Sequence, residues 1–241
     1  MKSLMKCCLA ELVGVFTLCF IGAGAIIMNA NGIDGTGPGL QIGLVGIALA
    51  HGLALAIAVS ATMNISGGHI NPAITIGLMV IGRCDAKRAA CYIIAQLCGA
   101  ALAGLSLKYL FPGALAQAVN WGTPALAGNV SVLKGVILEA IGTFLLAFAV
   151  YGTVAGKRIP QGLGGFAVGL AVCFLIIALG GLTGGAVNPA RHFGTAIIAG
   201  ITMLEQSWIY WIGPVIGAVI GFLLFSRILE KPENESDDAE A

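Results

Sequence analysis

Charged side chains are scarce in this chain of 241 residues, of which only 10% are Asp, Glu, Lys or Arg. An average soluble domain has about 25% charged residues, whereas 58% of this chain is hydrophobic. A soluble fold does not need so much apolar surface, but a membrane protein does, because lipid replaces water around its outer face. The sequence therefore predicts a polytopic membrane protein whose surroundings are the lipid bilayer.

The groups that carry enzyme and metal chemistry are scarce as well. The chain has three His, and its seven Cys include no CxxC pair. Because these residues and the few acidic ones form no pattern typical of a metal site or an activated nucleophile, we predict no enzyme activity, no metal and no cofactor. The net charge of +1 gives no indication of a nucleic-acid partner.

Six apolar stretches are long enough to cross a bilayer, which takes about 20 helical residues. Their approximate bounds are 8–29, 40–62, 89–110, 132–155, 162–181 and 207–229. Two further apolar pieces, 71–82 and 188–200, are too short to span and fit re-entrant segments. The fold class predicted is therefore an all-α membrane protein with six transmembrane helices and two re-entrant half-helices.

The basic residues cluster on one side of this six-span arrangement, so the positive-inside rule predicts that both termini are cytoplasmic. Residues 230–241 are acidic and lack large apolar side chains, which predicts a disordered cytoplasmic tail. Short loops and no recognisable targeting extension favour the plasma membrane of a microbial cell.

Two halves of the chain, about 5–113 and 130–229, resemble each other within a single membrane domain of residues 1–229. Ser66-Gly-Gly-His-Ile-Asn-Pro-Ala73 is matched by Thr183-Gly-Gly-Ala-Val-Asn-Pro-Ala190. Each half contributes three spans, an odd number, so the two copies must be inverted across the membrane. Inverted repeats place the functional site near the midplane, where interrupted segments meet.

The shared motif, Asn71-Pro72-Ala73 in one half and Asn188-Pro189-Ala190 in the other, predicts a helix start. Asn is a strong N-cap, and Pro is favoured at the first helical position. The half-helices should meet at their N-termini, each carrying roughly half a positive elementary charge. We expect the Asn amide NH2 groups to be spare donors there. Irregular backbone at membrane depth is tolerated only where it lines a cavity or is buried in protein. We expect the Gly-rich stretches before the motifs, with Gly67, Gly68, Gly184 and Ala186, to line a pore.

These paired motifs resemble those of the aquaporin, or major intrinsic protein, family, and the resemblance covers residues 5–229. It implies a homotetramer with a pore in each subunit. It also implies that Glu11 and Glu139, at matching positions of the repeat, brace the Gly-rich loops. As intramembrane carboxylates they could instead be a coupling-ion pair of a secondary active transporter.

The resemblance places a selectivity filter at His51, Ile176, Gly185 and Arg191. It also puts His69 on the cytoplasmic part of the pore wall. This set resembles that of plant tonoplast intrinsic proteins, some of which also pass ammonia. Such channels can carry a further His in the third loop, and Lys108–Val130 contains none. His192 and Tyr210-Trp211 follow the pattern of water channels and disfavour glycerol.

The sequence therefore predicts a passive channel for water and also ammonia that excludes protons and ions. A neutral His51 is a candidate acceptor for a proton that ammonium sheds at the mouth. A broader channel for small neutral solutes, such as glycerol or dissolved gases, is the alternative.

Overall fold

The computed structural model describes residues 4–30, 41–111, 113–155 and 161–230, and within these ranges it contains helices and no β-strand. The helices in chain order are α1 (Leu4–Ala30), α2 (Gly43–Thr62), α3 (Pro72–Val80), α4 (Ala86–Leu110), α5 (Gly113–Ala118), α6 (Val132–Val150), α7 (Gln161–Thr183), α8 (Pro189–Ala199), α9 (Ile201–Glu205) and α10 (Ile209–Leu224). Turns of π-helix at Tyr151–Ala155 and Phe225–Leu229 prolong α6 and α10.

The predicted fold class is confirmed. Six helical segments of the described chain are long and apolar enough to cross a membrane, and α3 and α8, with 9 and 11 residues, are not. The sequence analysis missed α5, α9 and both π-helical turns. The predicted tail, 230–241, lies outside the described residues except for Glu230.

The two half-helices begin as the Asn-Pro motif predicts. Asn71 caps α3 through its Oδ1, which accepts a hydrogen bond from the Ala73 backbone N–H over 2.9 Å. Asn188 caps α8 in the same way, with Ala190 N at 3.0 Å. Because each Pro occupies a position whose N–H would have no helical partner, the start costs no hydrogen bond.

Glycines bring the long helices into backbone contact in corresponding ways in the two halves. A Cβ on Gly99 of α4 would collide with the backbone of Leu12 in α1, and one on Gly217 of α10 would collide with the carbonyl of Ala140 in α6. Between the halves, Gly52 of α2 packs against the carbonyl of Gly169 in α7. Small residues permit such close approach in membrane helices, where van der Waals packing drives association.

The end of α10 and the loop after α3 lie on the same face of the bundle. Arg83 and Glu230 form a salt bridge of 3.5 Å, and the hydroxyl of Tyr151 donates to the Glu230 carboxylate over 2.5 Å. Arg83 also donates to the Tyr151 hydroxyl at 3.1 Å. This cluster ties the C-terminal end of the first half-helix to the last turn of the bundle.

Gly217→Ala is expected to destabilise the protein by about 1–3 kcal/mol, the usual cost of overpacking a close-packed site. The new methyl would meet the Ala140 carbonyl, which is part of the α6 backbone and cannot rotate away. The measurement is thermal unfolding in detergent. The matched control is Gly181→Ala in α7, where nothing lies within 4 Å of an added Cβ. Equal unfolding temperatures for both variants would contradict this account of helix packing.

Candidate functional site

The two Gly-rich loops have the same unusual backbone conformation. Three residues in each have positive φ: Gly67, Gly68 and Ile70 at 100°, 63° and 50°, and Gly184, Gly185 and Val187 at 83°, 57° and 42°. Glycine adopts such angles readily, but for β-branched residues they are genuine outliers. Something outside each loop must therefore hold Ile70 and Val187 in place.

In the first half that support is Glu11, which is fully buried. Its carboxylate accepts hydrogen bonds from the Ser66 hydroxyl at 2.5 Å, from His69 N at 3.0 Å and from Ile70 N at 2.6 Å. The side-chain amide of Gln96 donates a fourth, at 2.8 Å. A carboxylate with four donors is satisfied without solvent, as a buried charge requires.

Glu139 has the corresponding place in the second half and is also fully buried. It accepts from the Thr183 hydroxyl at 2.6 Å, from Ala186 N at 3.1 Å and from Val187 N at 2.7 Å. The strained residue of each loop thus donates its N–H to a carboxylate on a transmembrane helix, α1 or α6.

Matching tyrosines complete the two loops. The hydroxyl of Tyr92 donates to the Ser66 carbonyl, and that of Tyr210 donates to the Thr183 carbonyl, both over 2.8 Å. The inverted repeat therefore extends from the sequence motifs to the individual hydrogen bonds that hold the loops.

The two Asn residues meet at the centre of the bundle. Nδ2 of Asn71 donates to the Val187 carbonyl over 2.8 Å, and Nδ2 of Asn188 donates to the Ile70 carbonyl over 2.9 Å. The expectation that these NH2 groups are entirely spare is therefore corrected. Each amide uses one N–H to join the half-helices and keeps the other for a molecule in the cavity.

A narrow cavity runs past these groups. The space open to the centre of a water molecule is about 30 Å³, two or three times the roughly 10–15 Å³ that a single water needs. A wider outer vestibule of about 260 Å³ shares four lining residues with it, namely His51, Ile176, Gly184 and Arg191. The dimensions suit small molecules in single file.

Most predicted pore residues line this cavity: His51, Gly68, His69, Asn71, Ile176, Gly184, Gly185, Ala186, Asn188 and Arg191. Gly67 is exposed and is not among the residues that line this cavity. Pro72, Ala73, Pro189 and Ala190 are buried within the half-helices and away from the lining. The remaining wall is apolar, and sequence reasoning missed it because those residues resemble any others in a transmembrane helix: Leu18, Leu55, Val59, Ile74, Leu146, Val150, Val154, Val168, Val172 and Val187.

Arg191 is the one charged side chain among the residues that line the described cavity. Its Nε donates to His51 Nε2 over 3.1 Å, and its Nη2 donates to the Gly122 carbonyl over 2.8 Å. A longer contact of 3.4 Å joins Nη1 to the Thr195 hydroxyl. A guanidinium has five N–H groups, so these three contacts leave two donors for a passing solute.

The contact with Arg191 defines the state of the His51 ring. Arginine has no acceptor, so Nε2 of His51 must accept, and the ring proton is on Nδ1, which donates to the Ile47 carbonyl over 2.8 Å. The Nε2 lone pair is therefore already occupied. This overturns the expectation that His51 is free to take a proton from ammonium.

Gly122, whose carbonyl holds Arg191, was missed by the sequence analysis. It ends a turn of three residues with positive φ, Asn120 at 46°, Trp121 at 57° and Gly122 itself at 68°. The buried Trp121 ring packs with Ala23 and Leu107 and anchors the turn. Asn and Gly tolerate such angles, which is the only signal in the sequence. This carbonyl lies in the loop where the expected His is absent.

His192 does not line the cavity. Its ring stacks on Tyr210 at 4.1 Å between centroids, and it is buried between α8 and α10. His69, by contrast, is on the wall, where its Nδ1 lies 3.2 Å from the Thr75 hydroxyl.

The sequence profile described as Major intrinsic protein matches residues 1–225. The chain belongs to the major intrinsic protein family. Members of this family are membrane transport proteins, so the prediction that the chain is a channel and not an enzyme is confirmed, as is the resemblance to the aquaporins.

The chain is similar in sequence to aquaporins from different organisms. Aquaporin TIP4-4 of Zea mays is 42% identical over 93% of this chain and 86% of its own length. Aquaporin AqpM of Methanothermobacter thermautotrophicus is 40% identical over 95% of this chain and 99% of its own. The X-ray structure of the aquaglyceroporin from Plasmodium falciparum aligns with a TM-score of 0.82 and 24% identity, over 94% of this chain and 97% of that one. That likeness shows the fold alone.

The channel is expected to resist mercurials, because no Cys is among the described residues that line the cavity or the outer vestibule. Cys173 lies between helices, with its Sγ 3.3 Å from the Ala48 carbonyl. Ile176→Cys, which places a thiol on the wall shared by the cavity and the vestibule, should make water flux sensitive to mercury. Stopped-flow light scattering on proteoliposomes measures both. Fast mercury block of a protein that retains only Cys173 would show that this residue faces the pore.

Proposed function

We propose that this protein is a passive channel for water and ammonia that refuses protons and ions. The observation that carries the proposal is the meeting of two half-helix N-termini, joined through Asn71 and Asn188, in a narrow cavity whose charged lining residue is Arg191. The partial positive charges of the helix termini and the guanidinium repel cations at two successive depths.

Ions also meet a wall that cannot replace their hydration shell. The lining is mostly Val, Leu and Ile, with few polar groups. Moving an unpaired charge out of water costs far more than a few hydrogen bonds return. Water and ammonia are neutral, and they need only the donors of the two Asn and of Arg191 together with the exposed loop backbone.

A secondary active transporter is the weaker candidate. Such a transporter needs an acid that a coupling ion can reach, and Glu11 and Glu139 are the acids at membrane depth. Both have no exposed surface, both bind loop N–H groups, and neither lines the cavity. Flux that is linear in solute concentration and independent of any ion gradient is the result expected of a channel.

We further propose a homotetramer with both termini cytoplasmic. The basic residues that predict this orientation include Arg83, which is bonded to Glu230 at the end of the last span, so these two segments share one face. The plant relatives are named TIP, for tonoplast intrinsic protein. These names do not support the predicted location in the plasma membrane.

Asn71→Asp and Asn188→Asp are expected to let protons or alkali cations leak. A carboxylate at the meeting point would offset the positive potential of the two half-helices. The measurement is the decay of an imposed pH gradient in proteoliposomes loaded with a pH-sensitive dye. Gln117→Glu, an exposed site outside the cavity, is the control for added negative charge. Folded tetrameric variants with unchanged leak would show that the helix termini do not set the barrier.

Ammonia permeation is expected because the filter offers few obligatory acceptors. Ile176 adds an apolar wall, Gly185 adds no side chain, and the acceptor of His51 is already bonded to Arg191. Ammonia donates hydrogen bonds less well than water, so a constriction with few acceptors costs it little hydrogen-bonding energy. Ammonium remains excluded by the positive charge of Arg191.

Ile176→His should reduce ammonia permeability by roughly tenfold, equal to about 1.4 kcal/mol in the barrier, because it adds a ring and a polar contact to the filter. Ile176→Leu, similar in volume and equally apolar, is the matched control and should stay permeable. Alkalinisation of proteoliposomes by ammonia is measured against empty vesicles, with water and glycerol flux alongside. A native channel that conducts water but adds no ammonia flux would refute the ammonia part, and glycerol flux comparable to water would favour the broader channel.

A further inference from the structure

We infer that Gly22 of α1 is a fifth, size-determining position of the filter, which acts through His51. This inference rests on the proposed function only in that it concerns the same passage. Gly22 itself lines neither the cavity nor the outer vestibule. It is therefore a positioning residue, whose effect on a solute has to pass through the ring in front of it.

The His51 ring is held on three sides. Its Nδ1 is bonded to the Ile47 carbonyl at 2.8 Å, and its Nε2 accepts from Arg191 at 3.1 Å. Behind it lies Gly22, where an added Cβ would press on the ring atoms Cδ2, Nε2 and Cε1, closer than any real Cβ contact. The absence of a side chain at Gly22 is what makes room for the imidazole.

The fourth side of the ring is the passage. His51 lines both the inner cavity and the vestibule, beside Ile176 and Arg191. A methyl group on Gly22 can be accommodated only if the ring moves toward that space or breaks its bond to Arg191. Movement of the ring narrows the passage, and loss of its bond frees the Nε donor of Arg191. The size of residue 22 therefore limits which solutes pass.

The two positions therefore form a complementary pair, with a small residue on α1 matched to a ring on α2. A substitution at Gly22 should matter only while the ring is present at His51. This dependence distinguishes a filter role from ordinary helix packing, in which the cost of a methyl on α1 would be the same whichever residue is at position 51.

The test is a double-mutant cycle of Gly22→Ala and His51→Ala in proteoliposomes, with water and ammonia permeability expressed per folded tetramer. Gly22→Ala is expected to lower water permeability about tenfold and to change the ratio of ammonia to water permeability. In the His51→Ala background, Gly22→Ala should change water permeability by no more than about twofold, which is the scatter with which mutational effects usually add. The two positions are then coupled. Gly24→Ala is the matched control, because the nearest atom to an added Cβ there is in the Phe111 ring, at 3.2 Å.

Loss of permeability by Gly22→Ala in both backgrounds would overturn the inference, as would an effect no larger than that of Gly24→Ala. If Gly22→Ala does not fold, recovery of folded protein in the double variant supports the clash with His51, and failure to recover contradicts it. A native protein that conducts no water would refute the proposed function itself. A conducting native protein without coupling between the two positions would refute only this inference.

Discussion

Two buried carboxylates support the irregular backbone on which the passage depends. Glu11 and Glu139 each accept the N–H of a β-branched residue with positive φ, Ile70 or Val187, directly before the Asn of a half-helix. Without that acceptor the loop would lose both its strained conformation and its only partner for the buried N–H. The carbonyls that the loops present across the centre, and with them the contacts between Asn71 and Asn188, depend on these two bonds.

The two halves hold their loops with matching hydrogen bonds, but the side chains around those bonds differ. Glu11 has a fourth donor in Gln96, whose amide also reaches the Thr75 hydroxyl at 3.0 Å. Through Thr75 this network continues to His69 on the cavity wall, whereas the second loop has Ala186 at the corresponding place. The two loops therefore share a symmetric framework of hydrogen bonds but present different side chains to the passage, His69 in the first and Ala186 in the second.

The proposed filter combines residues from elements that are distant in the chain. Arg191 is from the second half-helix, His51 from α2, Ile176 from α7 and the Gly122 carbonyl from the loop before α6. The Arg191 side chain is held by hydrogen bonds to His51 and to the Gly122 carbonyl. Its position therefore depends on α2 and on the loop before α6 as well as on its own helix. We therefore expect selectivity to respond to residues such as Gly22 that never contact the solute.

The sequence by itself determined the helical class, the number of spans, the inverted repeat and the Asn-Pro starts of both half-helices. These features depend on hydrophobic length and on local capping chemistry, which neighbouring residues decide. Tertiary structure alone decided that His51 has no free lone pair, that Gly122 supplies a carbonyl to Arg191 and that Gly22 lies behind the His51 ring. Those facts depend on which surfaces of separate helices meet, and an apolar transmembrane helix has the same local pattern whether it faces the passage, a neighbour or lipid.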